Sequence, residues 1–119
     1  MRKASIQFIQ GIEETVVPEI RLEKSKNSNT GQAIFTFLRP AVFTFQNFKE
    51  INGMYLVDEE GEITLTEINV AVSKKNGKYT AIQAIYIWKS QQNFERFMRF
   101  ANRYAKEKGL GYQEIKKNN

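Results

Sequence analysis

The 119 residues carry 18 Lys and Arg against 13 Asp and Glu, a net charge of +5, with 41% hydrophobic and 26% charged residues. That balance is globular, and by size scaling about two-thirds of the chain's surface is buried on folding, enough for one domain over residues 1–119. There is no Cys and no His, which excludes disulfides, thiolate chemistry, thiolate zinc sites, Ser–His–Asp hydrolysis and histidine pH switches. A basic balance of this size attracts nucleic acid, anionic lipid or acidic protein surfaces without choosing among them.

The N-terminus, Met1-Arg2-Lys3-Ala4-Ser5-Ile6-Gln7-Phe8, alternates apolar and polar residues and lacks the apolar stretch of a secretory signal. Ala4 to Ile9 reads as a short strand ended by Gly11. From Pro18 to Lys24, Ile20 and Leu22 alternate with Glu19, Arg21 and Glu23, giving a strand with one wet face. A polar loop over 25–31 leads to a second strand, Ala33 to Leu38, so that Pro18–Leu38 forms a hairpin closed off by Pro40.

In Ala41 to Lys49 the residues Phe43, Phe45 and Phe48 fit either an edge strand or a short turn of helix folded over the core. Ile51 to Val57 is a strand, and Asp58-Glu59-Glu60-Gly61 supplies the turn after it. The apolar set then changes parity: Ile63 and Leu65 are odd, whereas Ile68, Val70 and Val72 are even. A strand keeps one parity per face, so Thr66-Glu67 marks either a bulge or a crossing between layers. Lys74-Lys75-Asn76-Gly77-Lys78 is a hairpin turn into a strand from Tyr79 to Lys89. The second half of that strand is apolar on both faces, which places it centrally in the sheet.

One helix follows. Ser90 caps it, Phe94, Phe97, Met98, Ala101, Tyr104 and Ala105 share one face, and Gly109 ends it. The polar tail from about 113 to 119 is expected to fray. The fold class is therefore α+β: a mainly antiparallel sheet of about five to six strands with one long C-terminal helix packed on one face.

Three features are candidates for function. The acidic cluster Asp58, Glu59, Glu60 and Glu62 lacks the alternate ligand spacing of a calcium loop and reads as a solvated turn, so no metal site is assigned. Arg96, Arg99 and Arg103 recur at i, i+3 and i+7, either as a docking strip for phosphates, headgroups or carboxylates or as an ordinary wet face with a Glu95–Arg99 pair. Tyr55, Tyr79, Tyr86 and Trp88, interleaved with basic residues, keep an RNA- or DNA-binding domain as the alternative, although no ribonucleoprotein motif is present. A sheet covered on one side has edges, and open edges accept partner strands.

The segments Asn52-Gly53-Met54-Tyr55-Leu56-Val57-Asp58-Glu59-Glu60-Gly61-Glu62-Ile63, Phe94-Glu95-Arg96-Phe97-Met98-Arg99-Phe100 and Arg103-Tyr104-Ala105 with Gly109-Leu110-Gly111 closely resemble the photosystem II reaction-centre subunit 28 family of cyanobacteria and plastids. So do Val16-Val17-Pro18-Glu19-Ile20-Arg21-Leu22 and Thr30-Gly31-Gln32-Ala33. The Phe43–Phe48 stretch and the Lys/Asn tail depart from the family pattern. The resemblance implies an assembly factor, not an enzyme, peripheral on the cytoplasmic or stromal side of the thylakoid. It would bind photosystem II intermediates containing the chlorophyll-binding inner antenna and reaction-centre core, without a cofactor. Partners would add to its sheet as extended segments, here at an edge within Arg21–Lys26 or Ala33–Leu38. Arg21, Lys24 and Arg39 would orient the incoming segment, and Arg96, Arg99 and Arg103 would meet acidic groups of the partner or membrane.

Overall fold

The computed structural model describes residues 3–26, 29–45, 51–72 and 75–109, and the backbone of 114–115. Strands β1 (Ser5–Gln7), β2 (Glu19–Lys24) and β3 (Gly31–Leu38) precede a short 3-10 turn at Ala41–Thr44. Then come β4 (Met54–Asp58), β5 (Gly61–Leu65), β6 (Glu67–Val72), β7 (Tyr79–Trp88), helix α1 (Gln91–Lys108) and a two-residue β8 (Glu114–Ile115). The class is α+β, but the strands fall into two sheets. One has the order β1-β4-β5 and the other β6-β7-β3-β2-β8. All pairings are antiparallel except β2 with β8.

The parity change near Thr66 is the crossing between layers. β5 ends at Leu65 in the smaller sheet and β6 begins at Glu67 in the larger one. Each sheet turns its apolar set toward a shared core, so a chain moving from one to the other must change which residues it buries. A register shift occurs later, between Ala71 and Val72. β7 lies inside the larger sheet, between β6 and β3. Its residues Ile82, Ala84 and Trp88 are buried, while Ile87 on its other face is 45% exposed, so only one of its two apolar faces is covered.

The core joins Ile6, Met54, Leu56 and Leu65 of the smaller sheet to Leu22, Phe35, Phe37 and Ile82 of the larger one and to the helix residues Phe94, Phe97, Phe100 and Tyr104. Phe97 sits at its centre, edge-on to Phe35 at 6.0 Å and stacked on Tyr86 at 5.3 Å. The helix starts where Ser90 Oγ accepts the Asn93 amide at 3.0 Å, and it ends at Gly109 with φ +68. Both ends are the caps expected from the sequence.

The 3-10 turn after Pro40 has no cap from a neighbouring side chain. Glu14, 3% exposed, supplies one: its carboxylate accepts the Ala41 and Val42 amides at 2.8 and 3.0 Å and the Val16 amide at 2.8 Å. The turn lays Phe43 against Tyr79, with ring centroids 5.7 Å apart. Of the two readings of the phenylalanine-rich stretch, helix-like cover is the one observed for residues 41–44. Residues 46–50, Lys74 and the tail other than 114–115 lie outside the described residues.

Gly31 occupies a position where no side chain fits. A Cβ there would lie 2.3 Å from a ring carbon of Trp88 and 2.6 Å from the Glu23 carbonyl oxygen. Trp88 is the chain's one tryptophan and is fully buried. Gly31→Ala is therefore expected to displace the indole and destabilise the fold by about 1–3 kcal/mol, the usual range for overpacking. Urea unfolding followed by Trp88 emission measures both effects; unchanged stability and emission would contradict the close approach.

Candidate functional site

The two charged motifs of the sequence form one structure. The β4–β5 turn carries Asp58, Glu59 and Glu60 to the α1 face that bears Arg96, Arg99 and Arg103. Arg96 grips the Asp58 carboxylate with both terminal nitrogens, at 2.7 and 3.0 Å, and also donates to the Gly61 carbonyl. Arg103 donates to the same carboxylate at 2.9 Å and to Glu60. Arg99 makes a second two-pronged contact, with Glu60, at 2.8 and 2.9 Å. The Glu60 amide donates to Asp58 Oδ1 at 3.0 Å, which folds the turn around the buried carboxylate. Gly61 follows with φ +127, a backbone state that disfavours any side chain.

Asp58 is fully buried while Glu59, Glu60 and Glu62 are exposed, so the acidic cluster is a solvated turn anchored by one buried carboxylate. Arg96 and Arg103 are largely covered, and Arg99 keeps half of its side chain exposed. Three guanidinium groups face three carboxylates, so the cluster carries no net charge (3 − 3 = 0). The arginine strip flanks the apolar stripe and closes on the turn; it does not point away from the fold. Glu95 hydrogen-bonds Gln91, and the Glu60 contact takes the place of the Glu95–Arg99 pair. Among the described residues no group of three or more carboxylates is placed to hold a metal ion.

Burial by itself would raise the Asp58 carboxyl, but hydrogen bonds from Arg96, Arg103 and the Glu60 amide outweigh it and hold the group below its ordinary value. Hydrogen bonds from Arg99 and then Arg103 lower Glu60 from 4.5 to about 2. Arg99 and Arg103 are correspondingly held more firmly protonated. In the core, burial together with the charges of Glu13 and Glu14 pushes the Tyr104 hydroxyl well up.

The other expected partner residues sit on the larger sheet. Arg21 is exposed on β2 and pairs with Glu23 at 3.4 Å; Lys24, at the end of that strand, lies 4.3 Å from the centre of the Phe94 ring. Arg39 is exposed and has φ +48, a left-handed state that costs a non-glycine residue about 1–2 kcal/mol. Its amide donates to the Thr80 carbonyl at 2.9 Å, turning the chain from β3 toward Pro40.

Of the two strands proposed to accept a partner, β3 is excluded as an edge. It pairs over Gly31–Leu38 with β7 on one side and over Gly31–Thr36 with β2 on the other, so it lies inside the sheet. Among the described residues, the outer flank of β2 is paired only where β8 adds in parallel at Leu22 and Glu23. At the opposite end of the sheet β6 has no described strand on its outer side. The aromatic residues suggested as a base-stacking platform do not assemble into one. Tyr55 belongs to the smaller sheet, Trp88 is fully buried, and the half-buried Tyr86 stacks on Phe97 against the core.

Two outcomes test the ionic cluster. A carboxylate lowered on folding adds stability above its unfolded value, and that stability is lost as pH falls toward the folded one. The fold should therefore weaken from about pH 4.5 down to about pH 2, and Glu60→Gln should flatten that part of the profile; equal slopes in acid titrations followed by circular dichroism would contradict it. Asp58→Ala leaves Arg96 with no buried counter-charge and should cost about 3–5 kcal/mol, against at most about 1 kcal/mol for an exposed pair such as Lys3–Glu107. Chemical denaturation separates the two.

A family model described as "Psb28 protein" matches residues 6–112. The chain is 53% identical over 114 residues to the Photosystem II reaction center Psb28 protein of Parasynechococcus marenigrum (strain WH8102), spanning 96% of this chain and 88% of that protein. It is 51% identical over 114 residues to the protein of the same name from Synechococcus sp. (strain CC9605), with the same coverage. With that of Prochlorococcus marinus (strain MIT 9215) it shares 49% over 115 residues, 97% of each chain. The match spans the acidic turn, the helix that grips it and both sheets, and the chain belongs to the Psb28 family.

Proposed function

We propose that this chain is a non-catalytic photosystem II assembly factor. It binds intermediates that contain the chlorophyll-binding inner antenna and the reaction-centre core, at the cytoplasmic or stromal surface of the thylakoid. Family membership supports the photosystem II part of this reading, since the relatives are named as reaction-centre proteins and none of those names gives a catalytic activity. No helix among the described residues is long and apolar enough to cross a membrane.

The observation that carries the mode of binding is the outer flank of β2. The chain's own β8 adds to it in parallel over just two residues, so this flank accepts a strand, and residues 19–21 have no described strand beside them. An extended partner segment takes up those backbone groups and either continues beyond β8 or replaces it. Arg21 and Lys24 lie at that flank and orient an acidic segment. Arg39 offers a further cation at the end of β3. On the helix, Arg99 is the arginine with the most exposed surface for a partner carboxylate, while Arg96 and Arg103 hold the turn that frames it.

The tagged protein, recovered gently from thylakoid membranes, should bring down inner-antenna and reaction-centre subunits. The double variant Arg21→Glu/Arg39→Glu should bring down several-fold less with its thermal unfolding unchanged. Recovery without photosystem II subunits would overturn the functional reading; equal recovery by the double variant would overturn the role of the two arginines.

A further inference from the structure

The sequence has two Asn-Gly steps, and the fold holds them in opposite ways. Asn52–Gly53 leads straight into β4: Gly53 is buried, and a Cβ on it would lie 2.9 Å from the Leu65 carbonyl oxygen. Asn76–Gly77 lies in the exposed segment between β6 and β7, where Gly77 has φ +68 and a Cβ would meet nothing within 4 Å. The Asn76 side chain is also folded back. Its Oδ1 accepts the Lys78 amide at 3.0 Å, and the ring so closed encloses the Gly77 nitrogen. The other described asparagines, Asn29, Asn69, Asn93 and Asn102, each precede a residue that carries a side chain.

We propose that Asn76 is a modification site, at which the folded chain deamidates spontaneously to an aspartyl or isoaspartyl linkage while Asn52 is protected. The Gly77 amide gives up its proton to water or hydroxide, and its nitrogen bonds to the Asn76 Cγ. The bond from Cγ to the side-chain nitrogen breaks, and that nitrogen leaves as ammonia with a proton taken from water. Water then opens the resulting succinimide at either carbonyl, so the net change is one water gained and one ammonia lost. Negative charge develops on Asn76 Oδ1 during the attack. The Lys78 amide already donates to that oxygen, so the fold sets a stabilising donor in place before the reaction begins. Lys75 and Lys78, exposed on either side, favour the deprotonated Gly77 nitrogen. Gly77 itself brings no side chain to obstruct ring closure. At Asn52 the same closure must turn the peptide leading to Gly53. The close approach to Leu65 and the start of the β4–β5 ladder oppose that rotation, so reaction there waits for local opening. The product places a carboxylate in a basic segment, and its isoaspartyl form lengthens the backbone between β6 and β7 by one methylene.

The purified, folded chain held at mildly alkaline pH should accumulate product at position 76. Peptide mass mapping reads the deamidation, and methyl labelling by an isoaspartyl carboxyl methyltransferase reads the isoaspartyl share. Asn52 should react at least about tenfold more slowly, the factor that a local opening costing about 1.4 kcal/mol imposes. In urea the fold no longer separates the two steps, and their rates should converge. Gly77→Ala should slow the reaction at position 76 and leave that at Asn52 unchanged. Equal rates at the two steps in the folded chain, no product at position 76, or a preference that persists undiminished in urea would each overturn the proposal. So would a folded Gly77→Ala chain that reacts at position 76 as fast as the unaltered one. The comparison of folded and urea-unfolded chain decides by itself if Gly77→Ala fails to fold. None of these measurements involves photosystem II, so their failure leaves the assembly reading intact.

Discussion

The Asp58 carboxylate is the point at which the three parts of the fold are tied. It ends β4, its side chain shapes the turn into β5, and it takes hydrogen bonds from two arginines of a helix that packs on the other sheet as well. A fully buried carboxylate is costly to desolvate unless its acceptor sites are filled. Here Arg96, Arg103 and the Glu60 amide fill them, so the arrangement is favourable only when hairpin and helix meet in one relative position. Apolar contacts between Phe97 and the sheet tolerate small sliding; a two-pronged arginine–carboxylate contact does not. The cluster thereby sets where the smaller sheet sits against the helix, and with it where β5 hands the chain over to β6.

That coupling explains which parts of the structure were legible in the sequence. The helix was readable because its caps and its apolar face are local: Ser90, Gly109 and the 94–105 spacing need no partner to be recognised. The crossing at Thr66 was visible as a parity change, although parity cannot distinguish a bulge from a change of sheet. The division into two sheets and the interior position of β3 were not readable, since both depend on which strands meet across long loops. Asp58 and Arg96 are 38 residues apart, and Glu14 lies 28 from Val42. An acidic turn followed much later by an arginine strip looks like two solvated surfaces until the fold brings them together. The signal available was their opposite charge: an acidic turn and an arginine strip in one short chain.

Neutralising the helix arginines within the fold changes how the net charge of +5 is distributed. The strip that looked most like an anion-docking surface contributes almost no field at a distance, because each guanidinium lies beside a carboxylate. The positive excess belongs instead to residues outside the cluster, among them Arg21, Lys24 and Arg39 on the larger sheet. Recognition through that sheet, as proposed, would combine a weak electrostatic attraction with backbone pairing. Under the proposed function this would suit a factor that binds and later leaves, since strand addition is directional and made of many individually modest contacts.

The two ends of the larger sheet are unequal for physical reasons. At β2 the outward-facing side chains Glu19, Arg21 and Glu23 are charged, and one short strand of the same chain already occupies part of the flank. An added segment there must match charges, which favours a specific sequence. At β6 the row Ile68, Val70 and Val72 is apolar and carries no charge by which one incoming segment could be told from another. Charge at the β2 end can therefore discriminate between incoming segments by sequence, whereas the apolar row at the β6 end can discriminate only by spacing and shape.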